Sequence, residues 1–452
     1  MATNIEKLII SHNKDAQNRK MVAFYDRKST MEKMGIARSE TAHSAFLANL
    51  LKSDNGLGLE ESAIMWLLHI LIEREDNATA YNSTSSKSPI PTDVKAAVLS
   101  QTLKYDIEEI TTEKVIDDVA HSYFAAHYNN KKCDDRLDIY IKLKVNGLSV
   151  KYLEIVIENK VLQDENGQKS KNGFGYDSLT QTQRYYTACS YNKSSDTAQL
   201  FVFLTPEEVE EETKAEDKHF IQISYQDVLD TIIIPQLDNN MLTNNERQEL
   251  ENYVDALNLP TLDIQAKKRI VMAMTEEART DIQTYLKKNK ELIINVIKAK
   301  EKEASNSSSL TQEEQILVSF ADKRKNLFAA LGMDFDTIKP TYYFVFITDG
   351  DTYRIAHLCT ADVAVNFAKL YYKYNSGSSI GQLNNDFANV KPNIFSVCNV
   401  QKNNTNSALY VKIANGVYFP KNIWANNYFN KLLAMINKTN NVSKDFKYEV
   451  IR

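Results

Sequence analysis

Between residues 136 and 160, polar and apolar side chains alternate in two short runs. In the first, Leu137, Ile139, Ile141, Leu143 and Val145 interleave with Asp138, Tyr140, Lys142 and Lys144. In the second, Leu153, Ile155 and Ile157 interleave with Glu154, Val156, Glu158 and Lys160. A period of two sends successive side chains to opposite faces, so each run predicts a half-buried strand. Asn146-Gly147 between them predicts a tight turn, and therefore an antiparallel hairpin. With the turn centred near Leu148, Asp138 is expected opposite Glu158. Lys160 follows two residues later on the same face. Two carboxylates and an amine should then meet at one edge of a sheet.

Around this hairpin the periodicity is helical or strand-like in turn. Residues 1–34 predict a polar helical leader. Ser39 fits an N-cap for a helix opening at Glu40, on which Glu40, His43, Ser44, Leu47 and Leu51 share a face. His43 is expected to be a packed, hydrogen-bonded histidine rather than a ligand. The apolar run Ala63–Ile72 predicts a core helix. Residues 76–93 read as a polar, proline-punctuated loop, and 94–125 as a helix and a first strand. A Gly- and Asn-rich insertion, 166–175, follows Lys160. Residues 177–189 predict a helix with Gln181 and Tyr185 on one face and Arg184 toward solvent. Leu200–Thr205, stopped by Pro206, and Phe220–Ser224 predict two further strands, with an acidic loop over 207–217 between them and a helix near 227–234 after them. The expected fold class is α/β (α+β), a mixed sheet with helices on both faces.

Residues 240–305 are helical by pattern, and Ala304-Ser305-Asn306-Ser307-Ser308-Ser309 reads as a linker. Beyond it, Tyr342–Thr348, an Asp349-Gly350 turn, a strand from Tyr353, helices near 360–374 and 424–437, and a strand near 409–413 predict a small α+β module. The expected organisation is a leader (1–34), a main domain (35–240), a helical connector (241–305) and a C-terminal domain (309–452).

Composition changes this picture little. The chain has 452 residues, 43% hydrophobic and 25% charged, as in ordinary globular proteins. No apolar run is long enough for a membrane span, and the N-terminus lacks a signal-peptide core, so a cytoplasmic protein is expected. Cys133, Cys189, Cys359 and Cys398 are widely spaced, which predicts reduced thiols and argues against a zinc site. Charge matters more. Residues 309–452 hold 16 Lys and Arg against 11 Asp and Glu, a net of +5, which leaves −10 for the rest of a chain whose net charge is −5. A basic C-terminal part beside an acidic one suits a polyanion, and also suits plain solvated surface. Its interleaved aromatics and lysines suit base stacking, or simply a core.

Two acids held close repel unless a cation lies between them. Hard oxygen ligands at an open site suit Mg²⁺, with Mn²⁺ as the alternative. A lysine on the same face can orient a water or stabilise charge growing on a phosphate. The chemistry suggested is metal-assisted phosphodiester hydrolysis. The competing reading of Asp138, Glu158 and Lys160 is a surface salt-bridge cluster.

Four segments in order resemble the PD-(D/E)xK nuclease superfamily. They are Glu40 on the first helix, Arg136-Leu137-Asp138-Ile139-Tyr140-Ile141, Ile157-Glu158-Asn159-Lys160, and Gln181-Thr182-Gln183-Arg184-Tyr185. The resemblance is to a bacterial restriction or defence branch and covers roughly residues 35–235. It implies a restriction-endonuclease-like core. It also implies Asp138 and Glu158 as metal ligands with Glu40 as a third carboxylate, Lys160 as the residue that orients water, and Gln181 and Tyr185 as supports of site or substrate. The implied substrate is DNA, with RNA left open, and the implied role is restriction or antiviral defence. A homo-oligomer and a protein partner at the C-terminal domain stay open too. A different class of function is a nuclease-fold binding or scaffolding module, which clustered carboxylates disfavour.

Overall fold

The computed structural model describes residues 3–54, 56–57, 59, 62–78, 80, 88–128, 135–161, 179–191, 193–206, 215–238, 241–263, 268–305, 309–333, 335, 343–349, 352–375, 378–396, 410–414, 417–420, 423–424, 426–442 and 446–451. The insertion 166–175, the acidic stretch 207–214, Cys133 and Cys398 lie outside these residues. The chain divides into two compact units, one of Met1–Asp26 with Arg279–Arg452, the other of Arg27–Ala278. Helices α1 (Asn4–Lys14) and α2 (Ala16–Asp26) belong to the first.

In the second unit a short helical turn over Thr30–Lys33 precedes α3 (Glu40–Leu50), capped by Ser39 Oγ accepting from Ala42 N, and α4 (Ser62–Arg74). A further helix over Thr92–Leu99 leads to the sheet. The strands are β1 (Tyr105–Val115), β2 (Arg136–Val145), β3 (Tyr152–Asn159), β4 (Thr197–Thr205) and β5 (Phe220–Ser224), in spatial order β1-β2-β3-β4-β5. The first three are antiparallel, and β4 and β5 run parallel to β3. Helix α5 (Gln181–Ser190) lies in the crossover from β3 to β4, and α6 (Asn244–Asn258) follows the sheet. This is the mixed α/β core that the pattern predicts.

The β2–β3 hairpin pairs Ile139 with Ile157 and Leu143 with Leu153, so its centre is where the sequence sets it. Gly147 in the turn has φ +75°, a left-handed conformation that side chains strain against. Ile139, Ile141, Ile155, Ile157, Leu200 and Val202 pack against α3 and α4 through Leu47, Leu50, Ile64 and Leu68. On the other face, Tyr140, Val156, Phe201 and Phe203 pack against Tyr185 and Ala188 of α5. Full burial of each such side chain contributes roughly 1.5–3 kcal/mol, so the two-faced sheet is the main stabilising element of this unit.

Two local expectations are corrected. Leu137 joins the α5-side cluster with Tyr140, not the face of Ile139. The described β1–β2 pairs step from Thr112–Ile139 to Lys114–Leu137, and Glu113 between them has φ +54°. Leu137 is the second residue of β2, and the alternation between the two core faces holds only from Ile139 onward. Arg184 does not face solvent freely, because its Nε donates to Asp135 Oδ2 at 2.8 Å.

In the first unit, α7 (Glu276–Lys288, which begins at the end of the second), α8 (Lys290–Ser305), α9 (Gln312–Asp322) and α10 (Lys325–Ala330) precede a small α+β part. There β6 (Tyr343–Asp349), β7 (Thr352–Leu358) and β10 (Phe446–Ile451) form an antiparallel sheet in the order β10-β6-β7. Strands β8 (Tyr410–Ala414) and β9 (Val417–Pro420) pair separately, and α11 (Thr360–Tyr374) and α12 (Asn426–Val442) complete it. Its Phe344, Phe346, Phe367, Phe387, Phe419 and Tyr448 are buried, so these aromatics serve as core rather than as stacking surface. Among the described residues, no helix is long and apolar enough to cross a membrane.

Candidate active site

The hairpin register carries Asp138 and Glu158 one step past the Ile139–Ile157 pair, and the backbone confirms their closeness: Asn159 N donates to Asp138 Oδ2 at 2.7 Å. Glu158 and Lys160 share a face of β3, and both are buried, at 0% and 3% exposure. The Lys160 ammonium lies 2.5 Å from Glu158 Oε1 and 3.5 Å from Glu40 Oε2. Lys160 N donates to Leu204 O at 2.8 Å, which continues the parallel β3–β4 ladder to the lysine itself. Glu158 Oε2 is buried without a hydrogen-bond partner. A surface salt-bridge cluster would be solvated; this one is inside the protein.

Glu40 is the first residue of α3, where the helix dipole favours an acid. Its Oε1 accepts from Val161 N at 3.4 Å. The helix is held to the strand by Asn159, whose side chain points away from Glu158 and Lys160 because it is out of phase with them. Asn159 Nδ2 donates to Glu40 O at 3.2 Å and to Ser44 Oγ at 3.1 Å, and its Oδ1 accepts from Tyr225 OH at 2.7 Å. His43 is fully buried, with Nδ1 3.1 Å from Tyr253 OH and Nε2 3.2 Å from Ala37 O, and burial pushes its pKa down to about 4. It is a packing histidine.

Helix α5 covers the site from the Lys160 face. Gln181 Nε2 donates to Tyr185 OH at 2.8 Å, and Tyr185 OH donates to Arg136 O at 2.5 Å, at the start of β2. Gln181 Oε1 has no partner. Gln183, two residues on, accepts instead from Thr180 N at 3.2 Å and so serves the helix start.

The electrostatics follow from burial. Burial pushes the Asp138 carboxyl up to about 6, against the Asn159 N–H and the Lys160 charge, which favour ionisation. Glu158 is raised well above the usual range, first by burial and then by the Asp138 charge. Burial opposes the Lys160 ammonium most strongly, but Glu158, Glu40 and Asp138 together outweigh it and raise its pKa. Tyr185 is raised by burial and by Glu158, so it stays a hydroxyl donor.

Two buried acids pushed up in pKa, one with an unpartnered oxygen, form a site that a cation would relieve. Asp138 and Glu158 are the residues that could hold it. Among the described residues, no group of three or more His, Cys, Asp or Glu side chains is arranged to hold a metal ion. Glu40 reaches Lys160 and Val161 N in this arrangement.

Asn159, Ser44 and Tyr225 were not assigned parts by sequence reasoning. Asn159 was legible in principle, because its odd place between Glu158 and Lys160 aims it at α3. Tyr225 carries no local signal.

A family model described as the PD-(D/E)XK nuclease superfamily matches residues 30–255, half of the chain and the whole five-stranded sheet. No curated protein and no solved structure matches the chain significantly. With the hairpin, the following parallel strands and the matched half in agreement, this chain belongs to the PD-(D/E)XK nuclease superfamily.

Proposed function

We propose that the protein is a metal-dependent nuclease that hydrolyses phosphodiester bonds of DNA at Asp138, Glu158 and Lys160. The observation that carries this reading is Glu158: a fully buried acid beside Asp138, ion-paired to Lys160 through one oxygen and with the other unpartnered. Asp138 and Glu158 would hold Mg²⁺, or Mn²⁺, with Glu40 as a further carboxylate. Bound there, the ion would supply positive charge to a phosphate oxygen and make a water acidic enough to attack.

The chain's own residues do the rest. Lys160, kept protonated by its carboxylate neighbours, orients the attacking water and offsets charge that develops on the phosphate. Glu40 holds the ammonium from the α3 side. Gln181 and Tyr185 fix the start of β2 through Arg136 O, and so fix Asp138. From the resemblance we carry over a role in restriction or anti-phage defence, with the basic C-terminal part of the first unit serving target recognition or control.

The test is cleavage of plasmid, linear and single-stranded DNA, and of RNA, with Mg²⁺, Mn²⁺ or EDTA. Wild type is compared with Asp138→Ala and Lys160→Ala. Metal-dependent cutting lost in both variants is expected, with DNA the better substrate. Cutting that survives both substitutions would remove the site, and preference for RNA would change the substrate. No cutting together with a stable protein partner would favour a scaffold.

A further inference from the structure

Beside Lys160, on the neighbouring strand, stands a hydroxyl that nothing above uses. The parallel β3–β4 ladder pairs Glu158 with Phe203 and Asn159 with Leu204. The next step sets Thr205, the last residue of β4, beside Lys160. In-register residues of parallel strands share a face. For Thr205 that face is the one with Phe201 and Phe203, which pack with Val156 and Tyr185 under α5. It is therefore the face of Glu158 and Lys160.

Thr205 is 3% exposed, and its Oγ1 is buried without a hydrogen-bond partner. Its strand neighbour makes the contrast. Ser224, paired with Thr205 across β4 and β5, uses its hydroxyl to cap a helix, accepting from Asp227 N at 3.1 Å. A buried hydroxyl with no partner destabilises the fold, so such groups call for a reason. Threonine also lies at the carboxyl end of two parallel strands, the edge where open α/β sheets receive ligands. Like Glu158 Oε2 and Gln181 Oε1, its Oγ1 is a buried polar atom of the site that has no hydrogen-bond partner.

We propose that Thr205 is a phosphate-contacting residue: its hydroxyl donates a hydrogen bond to a non-bridging oxygen of the scissile phosphate held beside Lys160. The proposal rests on the nuclease reading and adds a donor to it. The acids of the site cannot play this part, because a carboxylate that holds a cation is ionised and only accepts. Lys160 supplies charge but shares its protons with Glu158 and Glu40. A neutral hydroxyl on the adjacent strand fixes the phosphate's orientation without adding charge.

The experiment compares wild type, Thr205→Val and Thr205→Ser in steady-state cleavage of a fluorescent nucleic-acid substrate, with thermal melts of each protein. Valine keeps the shape and removes the hydroxyl; serine keeps the hydroxyl. The expected result is a kcat about 10²-fold lower for Thr205→Val, as for loss of one positioned donor. Thr205→Ser should recover most of it, and the Tm of Thr205→Val should be no lower than wild type. On substrates with a single phosphorothioate of defined stereochemistry, the valine penalty should shrink for one diastereomer only. A merely structural threonine would give a lower Tm and no diastereomer dependence, which overturns the proposal. Wild-type kcat in Thr205→Val overturns it as well, while leaving the nuclease reading intact. A wild type that cuts no substrate overturns both.

Discussion

Among the described residues, two buried polar clusters are built on opposite principles. In the first unit, α1, α2, α7 and the start of α8 meet around His12, Asn18, Tyr285 and Asn289. His12 Nε2 lies 2.7 Å from Tyr285 OH. The Asn18 and Asn289 amides pair reciprocally, at 3.0 and 2.9 Å, and each also donates to a backbone carbonyl, His12 O and Tyr285 O. None of these four side chains leaves a buried polar atom without a partner. In the second unit, Glu158, Gln181 and Thr205 each leave at least one. A closed network rigidifies and asks for nothing; an open one carries a folding cost and fits a ligand that closes it. In these two clusters, that difference runs in parallel with the one between structural polarity and the proposed site.

The largest test of the contrast is Glu158→Gln. It keeps the side chain's size and removes a charge from the open cluster. Cleavage should fall by roughly 10³-fold or more. Mg²⁺ or Mn²⁺ should raise the Tm of wild type, because a ligand that binds only the folded state stabilises it, and that rise should vanish in the variant. Melts with and without metal, in EDTA-treated protein, read this apart from activity. A metal-induced rise that persists in Glu158→Gln would assign the cation elsewhere.

A smaller effect comes from a closed group inside the site's own unit. His43 has both ring nitrogens occupied and a pKa lowered to about 4 from an ordinary 6.5 by burial. Its stabilising effect is complete above pH 6.5. As pH falls from there toward 4, the unfolded chain takes up a proton that the folded His43 refuses, so stability is lost over that window. The loss amounts to ~3 kcal/mol in all. His12 and His357 are shifted in the same direction, so His43→Gln isolates this share. Denaturant unfolding at pH 7 and pH 4.5 should show a flatter pH dependence in the variant. Equal slopes would show that His43 is not the neutral, closed group that its contacts describe.

Much of this was legible in the chain. Alternation over Leu137–Val145 and Leu153–Lys160, with Asn146-Gly147 between, set the hairpin and its register, because a pleated strand leaves no other way to bury Ile139, Ile141, Ile155 and Ile157 together. The same logic aligned Glu158 with Lys160. What failed was local. Leu137 was assigned to the wrong face because the alternation gives way at the start of β2, which no pattern within the strand announces. Arg184 found Asp135, a partner 49 positions away in sequence. Tyr225 and Asn159 meet across 66 positions, and Thr205 becomes a neighbour of Lys160 only once the parallel order of β3 and β4 is known. Parallel pairing comes from chain crossovers, which period-two patterns do not encode. The closed cluster was hidden for the same reason: Asn18 and Asn289 stand 271 positions apart.

That amide pair gives the smallest and cleanest test. Asn289→Ala deletes one member and leaves the Asn18 amide buried with part of its bonding lost. The cost should be about 2 kcal/mol, the penalty of an unsatisfied buried group rather than the modest net worth of the bonds. Asn18→Ala should cost about the same. If the network is closed, the double variant loses less than the sum of the two, because no amide is then left behind to desolvate. Cleavage per folded molecule and the metal-induced rise in Tm should stay at wild-type values in all three variants, since nothing in this cluster waits for a ligand. Additive losses in denaturant unfolding would mean that the two amides act independently. A cleavage defect at full folding would break the comparison outright, because polarity that satisfies itself would then be taking part in the chemistry.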